Sequence, residues 1–232
     1  MKVAIMQPYF FPYIGYFQLI RSVDLFIMYD NIKYTKKGWI NRNRFLRNGV
    51  DCVFTVPLRK DSDSVDVRDR AVAADFDRAK LVNQLREAYQ RAPHFHESFP
   101  IIEAAVMAPR DNLFEYIYGS VVGVCRYLGI GTRIVPSSSL AIDGELKAQD
   151  KVLALCKAAG ATLYINAIGG QGLYVREQFR AQCVELKFLN TRPIEYPQFG
   201  DPYVPWLSII DVMMFNPVER VREFLETHYD LI

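Results

Sequence analysis

Residues 1–45, MKVAIMQPYFFPYIGYFQLIRSVDLFIMYDNIKYTKKGWINRNRF, decide the fold. Val3 to Met6 read as a buried strand that Gln7-Pro8 stop, since proline has no N–H for a ladder and pushes the residue before it toward extended geometry. Phe11-Pro12 and Gly15 shape a loop. From about Gly15 the apolar spacing turns helical, with Tyr16, Leu19, Ile20 and Val23 at i, i+3, i+4 and i+7. Asp24 closes that helix, and Leu25 to Met28 make the next strand. Strand, loop, helix and strand form one βαβ unit, which crosses over right-handed. Its loop therefore falls at the carboxyl end of the first strand, where open α/β sheets bind ligands.

Working outward, the 232 residues, half of them hydrophobic, are enough to bury the core of one α/β domain spanning 1–232. The 28 basic and 26 acidic side chains leave a net charge of +2, which makes no electrostatic case for nucleic acid or an anionic membrane as main partner. Cys52, Cys125, Cys156 and Cys183 are scattered without CxxC or metal spacing and read as reduced thiols. No apolar run reaches the roughly 20 residues of a membrane span, and no charged leader precedes one. The expected location is the cytoplasm, with no membrane insertion.

Further strands are expected at Cys52 to Leu58, Thr132 to Pro136, Thr162 to Asn166 and Val184 to Leu189. Helices are expected over Phe76 to Ala92, Phe99 to Val106 and Asn112 to Leu128, which together make a helical insertion at 76–128. Asp150 to Ala159, with Gly160 as its C-terminal stop, is the clearest later helix. A short helix leads through Phe179 to Ala181, and two more follow Ser208 and Pro217. Ser208 is the expected cap of the first of these, and Asp211 the anion its dipole favours. The strands are continuous apolar runs rather than alternating ones, which implies a mainly parallel sheet covered by helices on both faces in three layers. His94 and His96 with Glu97 suggest a metal pair at first, but no other acid, thiol or imidazole cluster completes a ligand set, and a turn between helices accounts for them. No metal site is expected.

Asn31 to Arg47 is the most cationic segment, with Lys33, Lys36, Lys37, Arg42, Arg44 and Arg47 interleaved with Tyr34, Trp39, Asn41 and Asn43. One reading is a solvated hairpin or loop. The other is a ligand clamp, in which Trp39 offers a stacking face, arginine a rigid fork for phosphate and the asparagines neutral hydrogen bonds. Position favours the clamp, because the run follows the strand ending at Tyr29-Asp30 and so emerges beside the Gln7 to Gly15 loop. Asn166-Ala167-Ile168-Gly169-Gly170 leaves another strand end, and two adjacent glycines let a backbone approach a ligand closely. The expectation is one pocket for a phosphate-bearing ligand. Gln7, Tyr13, Gly15, Tyr16, Trp39, Asn41, Arg42, Asn43, Asn166 and Gly169 would bind it, with Asp30 and Lys37 as candidate catalytic groups.

The segments QPYFFPYIGYFQLI, YDNIKYTKKGWINRNRF, YINAIGGQGLY and WLSIIDVMMFNP resemble the WbqC-like protein family of bacterial surface-polysaccharide gene sets over essentially the whole chain. That resemblance implies a part in making O-antigen or another surface glycan. More distantly, Phe11-Pro12-Tyr13-Ile14-Gly15-Tyr16 is similar to the HxGH loop of class I nucleotidyltransferases, which implies a nucleotidyltransferase or Rossmann-like fold. Tyr13 and Tyr16 stand where that loop has histidines, so no imidazole is supplied, and Lys36, Lys37, Arg42 and Arg44 are the available cations. Three functions stay open: acyl or aminoacyl transfer to a sugar amine on a nucleotide-linked sugar, non-catalytic nucleotide-sugar binding or scaffolding, and glycosyl transfer. Asp61-Ser62-Asp63 is a weak candidate for the metal pair that glycosyl transfer requires. Expected partners are the nucleotide-linked sugar and a small acyl or amino-acid donor, in a chain that could form an oligomer. No cofactor follows from the residues, and ATP enters only as the carboxylate activator that a ligase would use.

Overall fold

The computed structural model describes residues 1–62, 64–200 and 202–232. Its centre is a six-stranded sheet of order β5-β2-β1-β6-β7-β8. The strands are β1 (Lys2–Met6), β2 (Leu25–Met28), β5 (Arg133–Pro136), β6 (Leu163–Ala167), β7 (Glu185–Thr191) and β8 (Tyr229–Leu231). The first five in spatial order run parallel, and β8 pairs antiparallel with β7 through Asn190 and Asp230. Numbered along the chain, the parallel strands stand 3-2-1-4-5, so the order reverses between β1 and β6. A separate hairpin joins β3 (Arg42–Arg47) and β4 (Val50–Thr55).

Helices cover both faces, and alternation along the strands shows which core each serves. Ala4, Phe26, Met28, Ile165 and Leu189 pack with α1 (Ile14–Arg21), α2 (Arg78–Tyr89), α3 (Phe95–Val106), α4 (Leu113–Leu128), α7 (Ile209–Phe215) and α8 (Val218–Thr227). Val3, Ile5, Leu25, Ile27, Tyr164 and Phe188 turn the other way, onto α5 (Ala148–Ala158) and α6 (Arg176–Ala181). A strand buried on both faces needs apolar residues at consecutive positions, which is why VAI and LFIM are unbroken runs. Helices α2 to α4 all fall in the connection from β2 to β5, next to the hairpin.

Helix boundaries follow local chemistry. The Asp77 and Asn112 side chains accept from Lys80 N–H and Glu115 N–H at the starts of α2 and α4, and Gly129 at φ +70° ends α4. Helix α3 begins at Phe95, a turn earlier than the expected Phe99, and carries Pro100 inside it. The early start lets Phe95 and Phe99 stack with centroids 4.6 Å apart, burying both. The His94 to Glu97 stretch is thus the beginning of that helix rather than a turn. Strand β8 has no counterpart in the expected elements.

Candidate functional site

The loops leaving β1, β2, β5 and β6 gather at the carboxyl edge of the sheet, and the β1 to α1 loop is tied to both the hairpin segment and α7. Phe10 N–H donates to the Ile40 carbonyl at 3.0 Å, and the Asn43 amide donates to the Phe10 carbonyl at 3.3 Å. Ser208 Oγ donates to the Phe11 carbonyl, and Ile209 N–H to the Pro12 carbonyl. Phe11, buried, holds φ at +42°, a region that costs a bulky residue energy and persists only where its surroundings impose it. Hairpin and α7 together impose it here.

Between β1 and β6, where the strand order reverses, lies a cleft of about 460 Å³. Gln7, Tyr9, Tyr13 and Tyr29 form one side, and Asn166, Gly169, Gly170 and Tyr174 the other. Asn166 Oδ1 accepts Ala167 N–H at 2.8 Å, and its amide nitrogen lies only 2.6 Å from where a Cβ on Gly170 would stand. Any larger residue there would push the Asn166 amide out of its place. None of the lining side chains is acidic, basic or imidazole. Burial raises the phenols of Tyr9, Tyr13, Tyr29 and Tyr174, so they are neutral hydrogen-bonding groups across the neutral range.

Tyr13 connects this cleft to two further cavities. One, of about 260 Å³, is lined by Tyr9, Pro12, Tyr13, Trp39, Asn43, Arg44 and Trp206. The other, of about 290 Å³, lies past the end of β7 among Thr191 to Tyr196, Tyr203 and Pro205 to Leu207. The protein's two tryptophans both stand at the middle cavity, Trp39 42% and Trp206 50% exposed. The Arg42 and Arg44 guanidinium carbons lie 5.5 and 5.8 Å from the Trp39 ring centre.

The residues expected to bind ligand are thus distributed over neighbouring sites. Gln7, Tyr13, Asn166 and Gly169 line the cleft, while Tyr13, Trp39 and Asn43 line the middle cavity. Arg42 stacks on Trp39 and donates to the carbonyls of Gly38 and Lys37, shaping the exposed turn on which Lys37 stands. Tyr16 is buried below the cleft, its hydroxyl donating to the Gln7 carbonyl at 2.9 Å. Gly15 is a packing position: a Cβ there would run into Thr191 Oγ1 and the Tyr13 ring. Asn41 is buried and bonded within the loop, accepting from Tyr34 Oη and donating to the Val56 carbonyl.

Asp30 is buried beside the end of β5. Its Oδ1 accepts Ser138 N–H at 2.9 Å and lies 2.7 Å from Ser137 Oγ, while Oδ2 accepts the Ser138 hydroxyl. The carboxylate thereby joins the β2 and β5 exits. Beside it, Lys151 Nζ donates to the Asn31 carbonyl and stands 5.3 Å from the Tyr29 ring centre, with its pKa lowered by burial. Asp63, half of the acid pair at Asp61-Ser62-Asp63, lies outside the described residues. Among the described residues no group of three His, Cys, Asp or Glu is placed to hold a metal ion. Burial pushes the Cys125 and Cys156 thiols up to about 12.

Three features of this edge were not foreseen in the sequence: Lys151, Trp206 and the surroundings of Asp211. Lys151 sits in the first turn of α5, the helix that follows the β5 exit, and that position was its available signal. Trp206 has φ +58°, with its carbonyl accepting from Arg44 Nη2 at 3.1 Å. Asp211 does lie in the first turn behind the Ser208 cap, but it is fully buried and receives side chains, not the solvent that a dipole-stabilised surface anion would meet. Tyr89 Oη at 2.8 Å, Tyr196 Oη at 2.7 Å and Gln198 Nε2 at 2.8 Å all donate to it.

The chain is 28% identical to "Uncharacterized protein Rv1507c" of Mycobacterium tuberculosis (strain ATCC 25618 / H37Rv) over 229 residues, covering 97% of each. No solved structure matches it. Residues 7–223 match the profile of the WbqC-like protein family, a span that takes in the β1 loop, the tryptophan cavity, the β6 exit and α7. The chain belongs to the WbqC-like protein family.

Proposed function

We propose that the protein takes a nucleotide-linked aminosugar at its carboxyl edge and joins to the sugar amine an acyl or aminoacyl group whose carboxyl has been activated with ATP, the adenylyl or phosphoryl group leaving as the amide forms, in bacterial surface-polysaccharide synthesis. The observation that carries this reading is the neutral cleft at the reversal of strand order, bounded by Gln7, Asn166 and the Gly169–Gly170 turn. Doubly wound sheets bind nucleotides at such a point. An uncharged wall of amides, phenols and close-approaching backbone suits ribose, base and sugar hydroxyls. The guanidinium groups of Arg42 and Arg44 over Trp39, one cavity away along the shared Tyr13, suit phosphate. Three adjoining cavities also provide room for two substrates.

A second reading, binding without catalysis, draws on the same neutrality, because the cleft wall offers no acid or base that titrates near pH 7. One experiment separates the two. The protein is incubated with ATP, amino acids and uridine or thymidine diphosphate aminosugars, and mass spectrometry follows the nucleotide. A new conjugate establishes transfer; unchanged nucleotide-sugar together with calorimetric binding leaves the binding protein. Arg42→Ala, which removes both the fork and the support of the Lys37–Trp39 turn, is expected to weaken nucleotide-sugar binding by roughly 1.5–3 kcal/mol while leaving Tm nearly intact. Unaltered calorimetric affinity in this variant would move the phosphate site away from Trp39.

A further inference from the structure

The cavity past β7 differs in chemistry from the neutral cleft. Two aromatic pairs wall it: Tyr13 with Trp206, centroids 6.2 Å apart, and Tyr196 with Tyr203, 5.3 Å apart and nearly perpendicular. The acid at its lining is Glu195, which has no ion-pair partner among the described residues. Arg192 also lines the pocket, but its Nε lies 3.8 Å from Asp230 and its guanidinium donates to the Thr227 carbonyl, so its charge is shared with an acid outside the wall. Behind the wall, the Tyr196 hydroxyl donates to the buried Asp211 carboxylate. Tyr203 feels the charges of both Asp211 and Glu195. With Arg192 paired to Asp230, the π faces, the Glu195 carboxylate and the Asp211 anion behind them leave a balance of negative charge that attracts a cation.

The wall is also held in place before any ligand arrives. Trp206 keeps a left-handed backbone that a tryptophan rarely adopts, although its ring is half exposed and gains little burial in return. Arg44 imposes that conformation from two sides, donating to the Trp206 carbonyl and accepting Ser208 N–H at its own carbonyl. Strain kept at an exposed aromatic ring points to a ligand-binding role for that ring.

We infer that this pocket binds the ammonium group of a small amino-acid donor, caged by Tyr13, Tyr196, Tyr203 and Trp206 and countered by Glu195. The inference deepens the reading above and rests on it for the identity of the reaction. The logic turns on which amine the pocket can hold. A nucleophilic amine must shed its proton before it attacks a carboxyl carbon, and an anionic aromatic cage keeps the proton on. The amine held here is therefore the bystander on the donor rather than the acceptor amine on the sugar. Its carboxyl end would then face Tyr13, the residue shared with the sugar cleft.

The test is a 1H–15N NMR titration of the intact chain, following the amides of Ile194, Glu195, Tyr196, Tyr203 and Trp206. The probes are L-alanine methyl ester, which keeps the ammonium, N-acetyl-L-alanine methyl ester, which lacks it, and D-glucosamine. The expected result is that the first shifts these signals and the second does not, and that Glu195→Gln weakens the response about three- to tenfold. Trp206→Ala serves as a second variant and is expected to weaken it similarly. No response to the ammonium ester, equal responses to both esters, or an unchanged affinity in Glu195→Gln overturns the inference. So does a stronger response to D-glucosamine, which would make this the acceptor site. Signals of Gly169 and Gly170 during a separate nucleotide-sugar titration report the cleft alone, so failure there strikes the proposed function and not the ammonium site.

Discussion

Among the described residues, Asp211 accepts three side-chain hydrogen bonds and pairs with no cation, in a buried site. Tyr89 in turn accepts Leu46 N–H, so one carboxylate ties the hairpin, α2, α7 and the loop around Tyr196 into a single node. Asp211→Ala leaves two buried hydroxyls without this acceptor and the Gln198 amide with only the Val204 carbonyl, and is expected to cost about 2–4 kcal/mol in urea denaturation. Burial raises the Asp211 carboxyl above its ordinary 3.8, against the opposing effect of its three donors. As pH climbs past 3.8 the unfolded chain releases this proton before the folded chain does. Stability from this group is thus full in acid, falls as pH rises through the raised folded value, and is level above it. Unfolding free energies of wild type and Asp211→Asn across that range should show the wild type losing ground as pH increases; a constant difference would contradict it. Gly15 is a second single-residue constraint. Gly15→Ala forces Tyr13 or Thr191 to move and should destabilise the fold by roughly 1–3 kcal/mol, while also displacing the ring that all three cavities share. Thermal melts with and without nucleotide-sugar separate the two effects.

Among the elements, the β3–β4 hairpin sets the middle cavity: Asn43 and Arg44 come from β3, and Trp39 from the turn just before it. Asn48 and Gly49, at φ +53° and +77°, make the two-residue turn that matches strand twist. Gly49→Ala puts a side chain on a left-handed backbone and should cost about 1 kcal/mol in chemical denaturation. The Asn-Gly pair was in plain view between Phe45-Leu46 and Val53-Phe54, yet the density of charge in Asn31 to Arg47 left hairpin and clamp as rivals. The structure places Arg42 to Arg47 in the first strand of the hairpin, and the consecutive residues Asn43 and Arg44 at its start reach the cavity. The unit from β1 to β2 was legible because strands buried on both faces must be apolar throughout, whereas β8 was not. Tyr229 to Leu231 are only three residues, partly exposed, and are defined by pairing with Asn190 some forty positions away in sequence. Trp206 was illegible for another reason: its left-handed backbone is imposed by Arg44, and no local residue preference announces it.

For the molecule as a whole, loops from well-separated strands meet because parallel strands all deliver their carboxyl ends to one edge. That much of the site could be placed from strand order alone: Gln7, Tyr13, Asn166 and Gly169 do share a cleft. The division into three cavities could not, since it depends on how the hairpin and the 192–208 loop close around Tyr13. Asp30 and Asn41 show why: a polar side chain near a strand exit serves equally well to tie loops together, and only its bonding partners reveal which. The placement of both tryptophans on the rim, with none in either core, has an optical consequence. Indole emission follows the polarity around the ring, so native emission should already be red-shifted and should change little on unfolding. A ligand that covers the rings, by contrast, should shift the emission to the blue. The intrinsic fluorescence of this protein should therefore be nearly silent about whether the chain is folded, and report whether its site is filled.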